Sequence, residues 1–375
     1  MTTFRLQNTD GPGTHVFIIG VGDYPHLKEG SGDTSPDHRG MGQLTSPQIS
    51  AMAMLDWVNS TLYNPEAPLK SIEVLISQAT PAQFTDSDGL SQQIAPATWR
   101  NFEASVRAWK QRADSDSSNV AIFYFCGHGI GDGINTHLLM GDAGQSASLL
   151  RDAAHVNALR LAMRDCAAVN QLYLIDACRT VDLALVMNPY DSSQSGLPDP
   201  KVLKIFRGQN PVLFSARLGE QAFGAPEQVS IFTRALLDGL NRCAVFRPHG
   251  RLWAVSPHQL QQAIAALMDD FSGAPHCPAD GLSGTGFQVH VLTTVPEVVV
   301  HVRLNNQAAN ESAEISYTSA GNRVVRPDFA HPWRTFVPHG QCSVEALFHP
   351  DARLTAAPVE ILMIPPFQNI TLEVL

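Results

Sequence analysis

A chain of 375 residues is long enough to bury one large core or two ordinary ones. With 44% hydrophobic and 16% charged residues it has the composition of a globular protein. A formal net charge of −10 without a dense Lys/Arg cluster speaks against a nucleic-acid partner. Residues 1–13 lack the apolar stretch of a signal peptide, and no apolar run reaches the roughly 18 to 20 residues of a membrane helix. The expected location is therefore cytoplasmic, with no membrane partner.

Taken in chain order, residues 15–22 (HVFIIGVG) form a short apolar run closed by glycine, the pattern of a buried strand. Ser46-Pro47 reads as a helix N-cap followed by proline at the first helical position, with Ala51, Leu55, Val58 and Leu62 continuing at helical spacing. An apolar run at 71–77 and a helix over about 97–113 come next. Residues 120–126 (VAIFYFC), β-branched and aromatic throughout, are the strongest strand signal in the chain. A helix with Val156, Leu159, Met163 and Cys166 on one face leads into a strand at 171–176 (QLYLID), and residues 211–216 (PVLFSA) read as a further strand. Helices over 230–240 and 257–271 follow. Strands alternating with helices predict an α/β fold whose mostly parallel sheet is covered by helices on both faces.

The character changes near residue 275. Beyond residue 289 the sequence holds no helix pattern, only short alternating runs at 298–304, 313–317, 343–348 and 370–375 separated by Pro, Asn and Gly clusters. This predicts a small all-β, sandwich-like C-terminal domain over 288–375, with residues 1–280 as the first domain and 278–284 as the boundary. Long irregular segments at 24–42, 80–96 and 187–210 lie within the first domain, where such loops tend to be functional.

The six cysteines, at 126, 166, 178, 243, 277 and 342, make no C-x-x-C pair and are too sparse for a disulfide framework. Most are expected as small buried core residues, Cys126 among them. Cys178 is different. In an α/β sheet the useful site lies at the carboxyl ends of the strands. Two strands end there on reactive groups, one running into Gly127-His128-Gly129 and the other into Ala177-Cys178-Arg179. A thiol of pKa near 8.5 is only a few per cent thiolate at neutral pH, and an adjacent imidazole can take its proton and later return one to a leaving amine. The N–H groups of Gly129 and Cys178 are positioned in sequence to bind an oxyanion. No third member of a triad is legible.

At these residues the chain resembles the caspase and metacaspase family of cysteine peptidases. Cys178 follows His128 by 50 residues, about the family's separation. The block Phe123-Tyr124-Phe125-Cys126-Gly127-His128-Gly129 is similar to the family's strand followed by Gly-His-Gly. Asp176-Ala177-Cys178-Arg179 resembles its Asp-x-Cys form, nearer to metacaspases and bacterial caspase-like proteins than to animal caspases, which carry Gln-Ala-Cys. Phe214-Ser215-Ala216, Glu220-Gln221-Ala222 and Phe232-Thr233-x-Ala235-Leu236 extend the likeness, which spans about residues 14–272.

The resemblance implies a cysteine endopeptidase acting on protein or peptide substrates. It also implies that Asp176 lines the pocket for the residue before the scissile bond and selects Arg or Lys, since a desolvated cation needs a fixed opposite charge. The family's second pocket acid is replaced in residues 44–50, where Ser50 stands nearest, and Asp23 is the candidate to compensate. The 187–210 segment occupies the place of the family's processed loop and contains Lys201, Lys204 and Arg207, so a zymogen cut there by itself or by an activating protease is expected. Bacterial relatives act in stress response, cell death or defence, commonly under a regulatory partner, and the C-terminal domain is the candidate docking element.

Other residues receive plainer readings. Asp132 and Asp142 are loop caps. His137, His155, His258 and His276 lack metal-ligand spacing, so no metal is expected. No nucleotide motif follows Gly20-x-Gly22. No cofactor is required by this chemistry, and calcium dependence stays open because no ordered ligand spacing exists. The rival readings are a silent caspase-like scaffold and a Cys-His hydrolase acting on a non-protein acyl group.

Overall fold

The computed structural model describes residues 2–375 apart from 8–9, 86–88, 90, 133–134, 147, 182–192, 199–205, 207, 218–225, 248–251, 270–276, 284–285, 328–332 and 349–353. The chain divides into two compact units that interleave in sequence, one of Met1–Leu237 with His276–Val289 and one of Asp238–Pro275 with His290–Leu375.

The first unit is built on a seven-stranded sheet in the order Thr2–Leu6, Leu69–Ser77, Thr14–Val21, Val120–Gly127, Asn170–Ala177, Val212–Phe214, Ala279–Asp280. The five inner strands run parallel and the two edge strands antiparallel. This is the mostly parallel sheet that the strand–helix alternation predicts. The long inner strands are buried on both faces, so they read as continuous apolar runs.

Alternation along the strands sends successive residues to opposite faces. Phe17, Ile19, Phe123 and Tyr173 pack with Phe102, Val106 and Trp109 of the helix Trp99–Ala113 and with Leu159 and Met163 of the helix Val156–Met163. Trp109 is the centre of this layer: fully buried, with its ring beside those of Phe17, Phe123 and Tyr173, it donates its indole N–H to His15 O at 3.0 Å. Burying one such side chain is worth about 3 kcal/mol, and the indole donor finds its partner as it must. The opposite face carries Tyr124 and Asp176, which meet Thr233 of the helix Ile231–Asp238. The helix Ser46–Ser60 lies on the same side, since its Ser50 Oγ accepts from Ser230 N at 3.0 Å.

The strand Thr2–Leu6 has no counterpart in the sequence reading. It is a partly exposed edge strand, so it carries no apolar run and owes its form to pairing with Leu69–Ser77. A three-stranded ribbon, Gly129–Gly131, Thr136–Leu139 and Ala153–His155, also escapes the sequence pattern. Its strands are three or four residues long and one is Gly-Ile-Gly, too short and too glycine-rich to alternate.

In the second unit, sheets of three strands (Trp333–Pro338, Glu297–Leu304, Phe367–Leu372) and four strands (Asn322–Val325, Glu314–Ser319, Gly340–Leu347, Val359–Met363) share one apolar core that includes Val300, Ile315, Trp333 and Val344. These are the all-β sheets expected toward the C-terminus. They contain one correction: a helix, Gln307–Ser312, stands where none is predicted. Asn306 caps it by accepting from Ala309 N at 3.0 Å. Six residues make under two turns, so no helical period exists to be read. The helix Pro257–Met268 and a small sheet of Val245–Phe246, Trp253–Val255 and His290–Leu292 complete this unit. Among the described residues no helix is long and apolar enough to cross a membrane.

Candidate active site

The strands Val120–Gly127 and Asn170–Ala177 pair in parallel over their whole length, with Asp176 opposite Cys126 and Ala177 opposite Gly127. The next residues are His128 and Cys178. Eight in-register pairs thus bring His128 and Cys178 to adjacent strand ends at the carboxyl edge of the sheet. All six cysteines lie outside disulfides, and Cys178 alone is not buried.

His128 is fixed from three directions. Its N–H donates to the Tyr24 hydroxyl at 2.8 Å, its carbonyl accepts from Leu139 N at 3.0 Å, and its Nε2 lies 2.8 Å from Gly42 O. A carbonyl can only accept, so Nε2 carries the proton and Nδ1 keeps the lone pair. Burial holds this imidazole below its usual range, with the Gly42 carbonyl opposing the shift, so the neutral base is the form present at neutral pH. The Tyr24 ring packs against the imidazole with centroids 4.8 Å apart.

Gly42 owes its place to a side chain. Gln43 accepts from Tyr24 N at 2.8 Å and donates to Tyr24 O at 2.9 Å and to Lys28 O at 3.2 Å, and Lys28 N donates to Met41 O at 3.0 Å. The irregular 24–42 segment is therefore a braced loop that supplies the carbonyl bonded to the His128 ring. Tyr24, Gly42 and Gln43 were invisible to sequence reasoning, because a backbone acceptor has no letter.

The glycines beside His128 are there for space. A Cβ on Gly129 would sit 2.4 Å from Cys178 O and 2.9 Å from the Ala177 side chain, and one on Gly127 would sit 2.8 Å from the Tyr24 hydroxyl. The Gly129–Gly131 strand also sets a donor. Its ribbon bonds run through His128, so by antiparallel alternation the Gly129 N–H turns away from the ribbon. On that same side Gly131 N donates to Thr180 O at 2.9 Å. Arg179 ties the nucleophile loop down further: its Nε donates to Thr136 Oγ1 at 3.0 Å and its guanidinium lies 3.9 Å from the Phe214 ring centroid.

Asp176 is 4% exposed, and its hydrogen-bond partners among the described residues are neutral. Its Oδ2 accepts from Thr233 Oγ1 at 2.8 Å, from Cys126 Sγ at 3.4 Å and from the Ser230 hydroxyl. Burial raises its pKa above the usual carboxylate range, while the Ser230 and Thr233 hydroxyls pull it back. Ser50 joins this network by accepting from Ser230 N, so the structure brings Asp176 and Ser50 together. Asp23 belongs to another set, donating its N–H to Ser77 O at 3.1 Å. Ser230 and Thr233 are additions to the predicted site. Thr233 lies inside the quoted Phe-Thr-x-Ala-Leu motif, whose physical reason is this contact. Lys201, Lys204 and Arg207, and the Glu220-Gln221-Ala222 segment, lie outside the described residues. Among the described residues no group of three His, Cys, Asp or Glu side chains is arranged to hold a metal ion.

Residues 15–249 match the family described as Caspase domain. The match covers more than half the chain, and the protein belongs to that family, whose members are cysteine peptidases. The chain is also 25% identical over 297 residues to the uncharacterized protein y4kE of Sinorhizobium fredii, covering 74% of this chain and 82% of that one. Among solved structures, it is similar to protein GSU0716 from Geobacter sulfurreducens (12% identity, TM-score 0.44, 73% of this chain and 95% of that one). It is likewise similar to caspase-1 from Spodoptera frugiperda (13% identity, TM-score 0.41, 75% and 89%).

Proposed function

We propose that the protein is a cysteine endopeptidase that cleaves protein substrates after Arg or Lys, with Cys178 as nucleophile and His128 as its acid/base partner. The observation that carries the reading is the His128 Nε2 contact with Gly42 O at 2.8 Å. It fixes the tautomer whose Nδ1 lone pair can accept the thiol proton.

In the first step Nδ1 takes the proton of Cys178 as the sulfur bonds to the substrate carbonyl carbon. The oxyanion is met by the N–H of Gly129 and of Cys178. Such a donor contributes roughly 3 kcal/mol to a transition state of this kind. The intermediate collapses, the C–N bond breaks, and His128 returns the proton to the leaving amine. Water then attacks the thioester, giving a proton to His128 that passes to the departing Cys178 sulfur. The thiol is regenerated.

Specificity for a basic side chain is supported by the charge at Asp176. Among the described residues, every group that bonds this buried carboxylate is neutral and none is a counter-cation. A guanidinium or ammonium arriving there supplies one. Ser50 stands on the same network and Asp23 is a more distant contributor to the pocket. Activation by cleavage at Lys201, Lys204 or Arg207, a cytoplasmic setting and a part in bacterial defence or stress response complete the proposal.

The test is digestion of a peptide library by wild type and by Cys178→Ala, with and without calcium. Cleavage after Arg or Lys that the variant lacks is the expected result. Cleavage after other residues keeps the dyad and removes Asp176 from specificity. A wild type that binds its partners but cuts nothing, in either condition, indicates the scaffold reading.

A further inference from the structure

The ribbon beside the dyad carries a second histidine with both ring nitrogens engaged. His137 is 6% exposed; its Nδ1 lies 2.5 Å from Ser193 Oγ and its Nε2 3.3 Å from Asp132 Oδ2. The carboxylate accepts, so Nε2 carries a proton, and Nδ1 pairs with the Ser193 hydroxyl. Asp132 is itself held, accepting from Asn135 N at 2.6 Å and from Asn135 Nδ2 at 2.7 Å. The His155 ring closes the remaining side, edge-on at 5.0 Å.

The described partners Asp132 and Ser193 come from segments that follow His128 and Cys178. Asp132 lies on the turn that follows His128 and Gly129–Gly131. Ser193 lies on the chain that has left Cys178, and its neighbours are fastened too. His155 N donates to Gln194 O at 2.8 Å, Gln194 N donates to Ala153 O at 3.3 Å, Arg107 Nε donates to Gly196 O at 3.3 Å, and Leu197 is buried in the core. The strand that carries His137 reaches the dyad on both sides: Leu139 N donates to His128 O, and Thr136 Oγ1 accepts from Arg179 Nε. His137 stands opposite Ile130, two residues from the catalytic imidazole.

We propose that His137 is a positioning residue for the dyad. By joining Ser193 to Asp132 it fixes the ribbon strand Thr136–Leu139 beside the histidine turn. That strand meets the dyad through the Leu139 N–H on His128 O and through Thr136 Oγ1 on Arg179, the residue after Cys178. The inference rests on Cys178 and His128 being the reactive pair.

A merely structural histidine would affect folding and leave the reactivity of Cys178 alone. The test compares Ser193→Thr, which keeps the hydroxyl, with Ser193→Val, which has nearly the same volume and lacks it. The readout is the iodoacetamide alkylation rate of Cys178 in the full chain at several pH values. It is resolved by peptide mass spectrometry and run beside melting temperatures. The Thr variant is expected within about twofold of wild type and the Val variant about tenfold slower at neutral pH, the loss of one buried hydrogen bond. Should the Val variant fold poorly, Ser193→Ala serves in its place. Equal rates for the Thr and hydroxyl-free variants overturn the inference while leaving the dyad intact. A wild type no faster than His128→Ala overturns the dyad itself, and the inference with it.

Discussion

Two corners of the same sheet edge solve opposite problems by different means. On the proposed function His128 must stay neutral and point one nitrogen at a thiol, and among the described residues its hydrogen bonds are to the main-chain Gly42 carbonyl and Leu139 N–H and to the Tyr24 phenol. Asp176, two residues before the proposed nucleophile, keeps a carboxylate out of water, and its described partners are side chains, from Ser230, Thr233 and Cys126. Backbone cannot be mutated away, so the base can survive drift in its surroundings. The acid's lattice can be retuned one hydroxyl at a time. On the proposed function, the first corner carries the chemistry and the second the selectivity.

That division can be broken by substitution. The largest effect is expected at Gly129→Ala, whose Cβ would lie 2.4 Å from Cys178 O. Backbone must move at the point where the dyad and its oxyanion donor meet. We expect at least about a thousandfold loss in kcat/KM, since both proton transfer and oxyanion binding are disturbed. Wild-type turnover by this variant would show that the close approach is irrelevant.

Asp176→Asn comes next. It should lower kcat/KM on Arg and Lys peptides by about a hundredfold, the order of one desolvated charge pair, while alkylation of Cys178 stays within about twofold. Parallel losses in both assays would merge the two corners into one. Tyr24→Phe strips the acceptor from the His128 N–H and should cost about tenfold in kcat, with KM little changed. An unchanged kcat would relieve Tyr24 of any orienting part.

The smallest effect is in pH dependence. Burial holds His128 and His155 below the usual imidazole range and, with Arg112 and Lys70, pushes His15 down to about 4. The folded protein keeps these rings neutral where the unfolded chain protonates them. Their stabilisation is therefore complete above pH 6.5 and is lost as pH falls from there, the His15 share down to about pH 4. Asp176 and Asp142, raised by burial, act with the opposite sign above pH 3.8. Urea midpoints of wild type and His15→Gln between pH 8 and 4 isolate the histidine share; a variant that keeps the full slope contradicts this assignment. The acid limb of kcat/KM should fall below 6.5 for the same reason.

The two corners also differ in how much of them could be read. Cys178, His128 and Asp176 follow strong apolar strands, and strand ends are where an α/β sheet gathers its chemistry. Gly42 and Gln43 sit in an irregular segment whose geometry comes from long-range backbone bonds, so nothing local announces them. Ser230 and Thr233 are ordinary hydroxyl residues until the sheet brings Asp176 within reach. The same logic governs the fold. Inner strands such as Val120–Gly127 are buried on both faces and declare themselves, whereas the edge strand Thr2–Leu6 and the ribbon carrying His137 are defined by their partners. His137 and Asp132 read as a scattered histidine and a loop cap, because the Ser193 that His137 ties to Asp132 lies far along the chain.

The central claim is that His128 activates Cys178 among six thiols. It is tested most directly with a peptidyl chloromethyl ketone bearing arginine next to the warhead, applied to wild type and to His128→Ala, with adducts mapped by mass spectrometry. The account predicts one adduct, on Cys178, formed at least about a hundredfold faster in wild type. Adducts spread over several cysteines, or equal Cys178 rates in the two proteins, would contradict it.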